Sequence, residues 1–190
     1  MSHEENSAAY DILVVGAGAA GAMAAIRAGA LGKRVLLVER NDALGKKILI
    51  TGKGRCNLTN IAPLDVFIEK FGRQGQFLRS AFHAFFNEDL MEFFRSAGLE
   101  TKIERQGRVF PVTDSARSVV ETLKKVLAAN GVEVLYGTRI TLIKKIDGGF
   151  EILCEGPHGS IKAKKVILAT GGTSYKVTGS TGDGHLAAQK

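Results

Sequence analysis

Asp11-Ile-Leu-Val-Val-Gly-Ala-Gly-Ala-Ala-Gly21 is the stretch on which the fold turns. Its apolar run, Ile12 to Val15, shows no alternation, as in a strand buried on both faces. The run meets Gly16, Gly18 and Gly21, and an alanine-rich segment follows as far as Gly32. Each glycine has its own task in such a turn. Gly16 permits the tight bend, Gly18 lets backbone approach a pyrophosphate, and Gly21 lets the next helix sit close on the strand. That helix aims its free N–H groups and the positive end of its dipole at the phosphates.

A glycine triplet is weak evidence by itself, and its surroundings strengthen it. A second apolar strand, Val35 to Val38, follows the helix and closes at Glu39. Glu39 lies 21 positions beyond Gly18, near the roughly 20-residue offset at which a carboxylate meets a ribose hydroxyl. The plain alternative is a βαβ unit whose glycines serve packing alone. The carboxylate at this spacing argues against it.

A chain of 190 residues can bury a real core and fits one domain, or one with a small appendage. Its 45% hydrophobic and 24% charged content is that of an ordinary soluble globular protein. The net charge of +7, from 26 basic and 19 acidic residues, raises the question of nucleic acid. The basic residues are scattered in pairs such as Lys124-Lys125, Lys144-Lys145 and Lys164-Lys165, with no long basic run and no RNA-binding signature. An anionic cofactor and solvated faces account for the charge more simply, so a small-molecule substrate is expected and nucleic acid is not. Cys56 and Cys154 stand far apart without a C-x-x-C, which fits a reducing compartment and argues against a disulfide framework or a metal site. Glu4 and Glu5 occupy the place of a basic signal region, so a cytoplasmic location is expected. Ile12 to Ala30 is apolar enough to mimic a membrane span, but its glycines and Arg27 speak against one.

Outward from the glycine turn, residues 1–9 read as a disordered lead-in, followed by a strand over Tyr10–Val15, a helix over 19–31 and a strand over 34–38. A long loop to Asn60 is rich in Gly, Lys, Asn and Thr, a composition that points to function. Residues 64–97 read as helices broken near Asn87, with Leu78, Phe82, Phe85, Leu90, Phe93 and Phe94 on apolar faces. This predicts a helical cap with an aromatic core, and His83 on its flank carries no catalytic mark. A hairpin around Gln106-Gly107 and an amphipathic helix over 115–129, capped by Asp114 or Ser115, come next. A parallel-type strand over 132–136 precedes a three-stranded antiparallel meander over 140–146, 150–154 and 160–164. A separate apolar strand over 165–169 then ends in Thr170-Gly171-Gly172, and the Thr178–Gly184 loop opens a last helix. Asp183 reads equally well as that helix's N-cap or as a cofactor or substrate contact. The fold class is α/β: a parallel sheet plus a three-stranded antiparallel meander.

A meander placed before an Ala-Thr-Gly strand resembles the Rossmann-like FAD-binding domain of two-dinucleotide-binding-fold flavoproteins, of the glutathione-reductase and fumarate-reductase type. Gly179-Ser-Thr-Gly-Asp-Gly184 resembles the Thr-Gly-Asp-Gly motif on the fumarate-reductase side. Thr51-Gly-Lys-Gly-Arg-Cys-Asn-Leu-Thr-Asn60 is similar to the signature of a bacterial family of NAD(P)/FAD-dependent oxidoreductases, some of whose members carry bile-acid-reductase or aminoacetone-oxidase labels. Gly107-Arg-Val-Phe-Pro111 and Ala169-Thr-Gly-Gly-Thr-Ser-Tyr175 also resemble that family, while Lys176 stands where a proline is usual.

The resemblance implies FAD as cofactor and NAD(P)H as reductant, with hydride or electrons passed to a small molecule; the alternative is a non-catalytic FAD- or nucleotide-binding module. It implies that Gly16, Gly18, Ala19, Ala20 and Gly21 hold the pyrophosphate and Glu39 the adenosine ribose. Arg40, Gly45, Lys46 and Lys47 would border the phosphates, and Ile140 would touch adenine through its backbone. Thr170, Gly171 and Gly172 would let backbone pass close to the cofactor. Thr51, Gly52, Gly54, Arg55, Cys56 and Asn57 would line the flavin side, where a donor or positive charge favours the reduced anionic ring. Lys46, Lys47 and Lys53 also read as ordinary surface charge. Cys56 reads as a packed, inert thiol ahead of a redox partner. The resemblance further implies that 10–190 is an incomplete FAD-binding domain. It would carry a helical excursion at about 61–110 and lack the inserted domain that shapes the substrate pocket and the return segment that completes the flavin site. No general acid or base is assigned.

Overall fold

The computed structural model describes residues 10–179, 181, 182 and 184. The expected lead-in at 1–9, Asp183 and the body of the last helix lie outside the described residues. In chain order the elements are β1 (Tyr10–Val15), α1 (Ala19–Ala30), β2 (Val35–Val38), α2 (Lys46–Ile50), β3 (Thr59–Asn60), α3 (Leu64–Lys70), α4 (Gly75–Ala84), α5 (Asn87–Ser96), β4 (Thr101–Ile103), β5 (Arg108–Pro111), α6 (Ala116–Ala129), β6 (Glu133–Leu135), β7 (Ile140–Ile146), β8 (Gly149–Cys154) and β9 (Ser160–Leu168). They fall into two compact units, Met1–Lys47 with Leu123–Lys190, and Ile48–Thr122.

The first unit is built on a six-stranded sheet in the order β6-β2-β1-β9-β8-β7. β6, β2, β1 and β9 run parallel, and β9, β8 and β7 form the antiparallel meander. The uninterrupted Val-Leu-Leu-Val of β2 is buried at all four positions, as a strand covered on both faces requires. Leu13, Val15, Leu36 and Val38 share one core with Ile152 and Ala163, so the parallel and meander halves bury the same apolar side. On the other face α1 presents Gly21, Ala22, Ala25 and Ala28, small residues that let it approach β1 and β2 closely.

The sequence reads 160–164 and 165–169 as two strands, and the structure differs. The third meander strand and the apolar strand after it are a single nine-residue strand, β9. Its first half pairs antiparallel with β8 through Ser160–Ala163, and its second half pairs parallel with β1 through Leu168. No glycine or proline interrupts Ser160–Leu168, so nothing in the local chemistry ends the strand where its partner changes.

The second unit carries a three-stranded antiparallel sheet, β3-β5-β4, and the helices α3, α4 and α5. Its aromatic centre is real but differently staffed. Phe82 and Phe86 lie 5.2 Å apart and Phe67 meets both edge-on, whereas Phe85 is exposed. Edge-to-face rings at these distances are a preferred aromatic geometry. Asn87, buried at the break between α4 and α5, donates its amide to the carbonyls of Asn60 (2.8 Å) and Ala62 (3.1 Å). The long loop is more ordered than its composition suggests. It contains α2, a single turn at Thr51–Gly54 and the strand β3.

Candidate functional site

In the first unit the chain leaves β1 toward β2 and β6 on one side and returns through β9 on the other. The carboxyl ends of β1 and β9 therefore flank the point where strand order reverses, the usual place for a ligand crevice in an open α/β sheet. Gly16 sits there with φ +102°, and a Cβ on it would lie 2.6 Å from the Ala169 carbonyl oxygen. A Cβ on Gly21 would lie 1.8 Å from the Gly16 carbonyl oxygen. A Cβ on Gly18 or Gly172 would meet nothing within 4 Å. The backbone at Gly18 and Gly172 thus faces open space, while Gly16 and Gly21 are packed against backbone. Gly18 caps α1 with no side-chain hydrogen bond, no acidic residue occupies the first turn, and Ala19 and Ala20 are exposed. An α-helix leaves its first N–H groups unsatisfied, and an open, positive helix end takes an anion. The donor set fits the diphosphate of a dinucleotide.

Glu39 follows β2 directly with only 7% of its surface exposed, and its carboxylate turns toward this junction. Oε2 accepts the Ala17 N–H at 2.7 Å; Oε1 accepts the Asn41 N–H at 2.9 Å and its side-chain amide at 2.6 Å. Gly45, with φ +71°, donates its N–H to the Ala17 carbonyl at 2.9 Å. The glycine turn is therefore held from below by the 39–45 loop. A second segment, 174–181, is fastened along that loop. Arg40 donates to the Thr181 hydroxyl (2.8 Å), Asn41 to the Thr178 carbonyl (3.3 Å) and Lys47 to the Ser174 carbonyl (3.0 Å). Lys46 pairs with Asp42 at 2.8 Å. A proline at position 176 would push residue 175 toward extended backbone. With Lys176 there, Tyr175 is left-handed at φ 54°, ψ 58°. Ile140 opens β7 opposite Cys154, half-buried against the core. Thr170 and Gly171 follow β9 after Ala169, and a Cβ on Gly184 would lie 2.0 Å from the Thr170 hydroxyl.

Thr51 to Asn57 belongs to the second unit. Gly52, Lys53, Gly54 and Cys56 all have positive φ, and for the two non-glycines this is an uncommon and costly conformation. Arg55 secures the strained turn. Its guanidinium forks onto Glu104, donates to Asp114 at 2.9 Å and 2.5 Å, and lies 4.2 Å from the centre of the Phe110 ring. Lys102 joins Asp114 at 2.5 Å. Hydrogen bonds from Arg55 hold the Glu104 carboxyl below the usual range, and those from Lys102 and then Arg55 do the same for Asp114. With its side-chain amide in the orientation that its neighbours require, Asn57 donates to the carbonyls of Thr59 (3.0 Å) and Val109 (3.2 Å). Cys56 is buried, and burial pushes its thiol above the ordinary range against a weaker pull from Thr51. A buried thiol in this state is a poor nucleophile at neutral pH.

The structure thus gathers Gly16, Gly18, Ala19, Ala20, Gly21, Glu39 and Gly45 around one turn, and Thr51 to Asn57 around another. Sequence reading missed Asn41 and Glu104, and it offered Asp114 as a helix cap where the structure pairs it with Arg55 and Lys102. Asn41 had a signal, its place two residues after the carboxylate; Glu104 had none nearby. Among the described residues no group of three His, Cys, Asp or Glu side chains could hold a metal ion, and no helix is long and apolar enough to cross a membrane.

A family model described as HI0933-like protein Rossmann domain matches residues 10–190. The chain is 39% identical over 178 residues to a 3-dehydro-bile acid delta(4,6)-reductase of Clostridium scindens, covering 93% of this chain and 42% of that protein. It is 29% identical over 184 residues to a ribosomal RNA dihydrouridine synthase of Escherichia coli, covering 95% of this chain and 44% of that protein. Its fold matches the open conformation of a flavocytochrome c3 fumarate reductase with a TM-score of 0.73 at 26% identity, covering 96% of this chain and 40% of that one. The chain spans less than half the length of these relatives.

Proposed function

The chain belongs to the HI0933-like Rossmann-domain family, and from that membership we propose that it binds FAD as part of an NAD(P)H-linked oxidoreductase of a reducing, cytoplasmic compartment. The observation that carries the reading is the open backbone at Gly18, on the free end of α1, with the Glu39 carboxylate turned to the same junction. The backbone N–H groups of Gly18, Ala19 and Ala20 bind the diphosphate, with Gly16 and Gly21 shaping the turn. Arg40, Lys46 and Lys47 add positive charge along the loop. Glu39 takes the ribose, Ile140 meets adenine through its backbone, and Thr170 to Gly172 let the cofactor pass. Thr51, Gly52, Gly54, Cys56 and Asn57 shape the flavin side, and Arg55 enters through the clamp that holds their turn. FAD, when bound, supplies hydride and electron transfer; the chain supplies binding, orientation and electrostatics.

The acceptor is a small molecule with a reducible carbon–carbon double bond, a reading supported by the reductase relative at 39% identity. A second reading, RNA as acceptor, is favoured by the net charge of +7 and by the ribosomal RNA relative.

The test is a titration of the purified protein with FAD followed by flavin fluorescence, then anaerobic addition of NADH and NADPH separately. Micromolar FAD binding, relieved by ADP, and loss of the flavin absorbance band with one nucleotide are expected. No FAD or ADP binding overturns the reading. RNA retention that survives in low salt and falls steeply between 50 and about 200 mM salt would favour the second acceptor.

A further inference from the structure

The Glu39 carboxylate is not free to choose its orientation. An ionised carboxylate offers about four acceptor positions on its two oxygens. Three are filled from within the chain: Oε2 by the Ala17 N–H, and Oε1 by both the backbone and the side-chain N–H of Asn41. Among the described residues one position is left, on Oε2. Asn41 is itself held from three sides. Its carbonyl accepts the Gly137 N–H at 2.9 Å, and its amide also reaches the Thr178 carbonyl at 3.3 Å. Gly179 lies so close that a Cβ there would sit 2.6 Å from Asn41 Nδ2. The amide nitrogen faces only acceptors, so its orientation is fixed by its partners.

We infer that Asn41 is a positioning residue for nucleotide recognition: it locks the Glu39 carboxylate so that the single open position on Oε2 accepts one ribose hydroxyl. Asparagine suits the place for chemical reasons. Alanine lacks the amide donor, and aspartate would set one carboxylate against another. The inference rests on the nucleotide reading above and adds a residue and a stoichiometry to it, one hydroxyl rather than two.

Calorimetric titration with ADP, 2′-deoxy-ADP and 3′-deoxy-ADP tests it on the wild-type protein, Asn41→Ala and the near-isosteric Asn41→Asp. Wild type should bind ADP five- to tenfold more tightly than one of the two deoxynucleotides and no more tightly than the other. In Asn41→Ala that preference should shrink to less than twofold, while affinity for the discriminating deoxynucleotide stays within twofold of wild type. Asn41→Asp should lose the preference as well, and circular dichroism shows whether each variant keeps its fold. Should Asn41→Ala not fold, the aspartate variant alone decides. Equal weakening of all three nucleotides in the variants, an unchanged preference, or discrimination against both deoxynucleotides by wild type overturns the inference and leaves nucleotide binding standing. A wild-type protein that binds no ADP removes the nucleotide reading itself.

Discussion

At Gly21 an added methyl would press to 1.8 Å from the Gly16 carbonyl oxygen, while at Gly18 it would touch nothing within 4 Å. The two positions therefore separate packing from the proposed ligand contact. Gly18 has φ −79°, a conformation any residue adopts. Alanine there loses a little as an N-cap and regains a similar amount from the stiffer unfolded chain, for a net effect below about 0.5 kcal/mol. Gly18→Ala should keep the wild-type melting temperature and lose at least tenfold in ADP affinity, because the methyl occupies space the diphosphate needs. Gly21→Ala should cost about 3 kcal/mol or more, since helix and strand must separate to admit the methyl. Thermal melts and ADP titrations on both variants check the contrast. A Gly18→Ala protein with unaltered affinity would mean the open backbone faces no phosphate. The tight turn at Gly16 and the close packing at Gly21 were legible because each constraint is local to one turn. Glu39 was legible for its spacing, and its prior engagement by Ala17 and Asn41 was not.

Arg55 works at the scale of an element. With Glu104, Asp114, Lys102 and the Phe110 ring it ties a turn of left-handed residues to β4, β5 and the start of α6's approach. Half-exposed ion pairs are weakened by salt, and the carboxyls of Glu104 and Asp114 are depressed by their cationic partners. A depressed carboxyl adds stability that is complete above its unfolded value, near pH 4, and is lost as pH falls through its folded value. Stability from this clamp should hold level from pH 8 to 5 and drop only in acid. Arg55→Ala should melt a few degrees lower at neutral pH and low salt. The gap to wild type should narrow progressively as pH falls below about 4, and it should close in 1 M salt, as followed by circular dichroism. A gap that persists in acid and in salt would assign Arg55 to packing on Phe110 alone. Sequence reading saw the glycines and the cation of Thr51–Asn60 and placed them toward a ligand. It could not see that Arg55's partners lie 49 and 59 positions away. Distance along the chain also hid the continuity of β9, whose two halves look like separate strands only because their neighbours differ. Elements set by local periodicity, β1, α1, β2 and α6, were readable nearly to the residue.

For the whole molecule, the basic residues are spread along the chain, and several pair with acidic neighbours. Arg34 pairs with Glu133, Lys46 with Asp42, Arg79 with Asp65, Arg139 with Glu155 and Lys164 with Asp11. What the fold concentrates is the free end of α1, a directed positive pole suited to one compact anion. That predicts a ligand effect on global stability. A ligand that binds only the native state at 100 times its Kd adds about 2.7 kcal/mol. For a chain of this size each kcal/mol moves Tm by roughly 2–4 °C. Saturating ADP should therefore raise Tm by about 5–10 °C. AMP, which keeps the ribose for Glu39 but has a single phosphate for the helix end, should give a clearly smaller rise. Differential scanning calorimetry with the two nucleotides at one equal concentration measures both. Equal shifts from ADP and AMP would place the recognition at the sugar and base and leave the Gly16–Gly21 turn as packing. A larger shift from ADP that disappears in Gly18→Ala would tie the stability of the fold to a diphosphate at that turn.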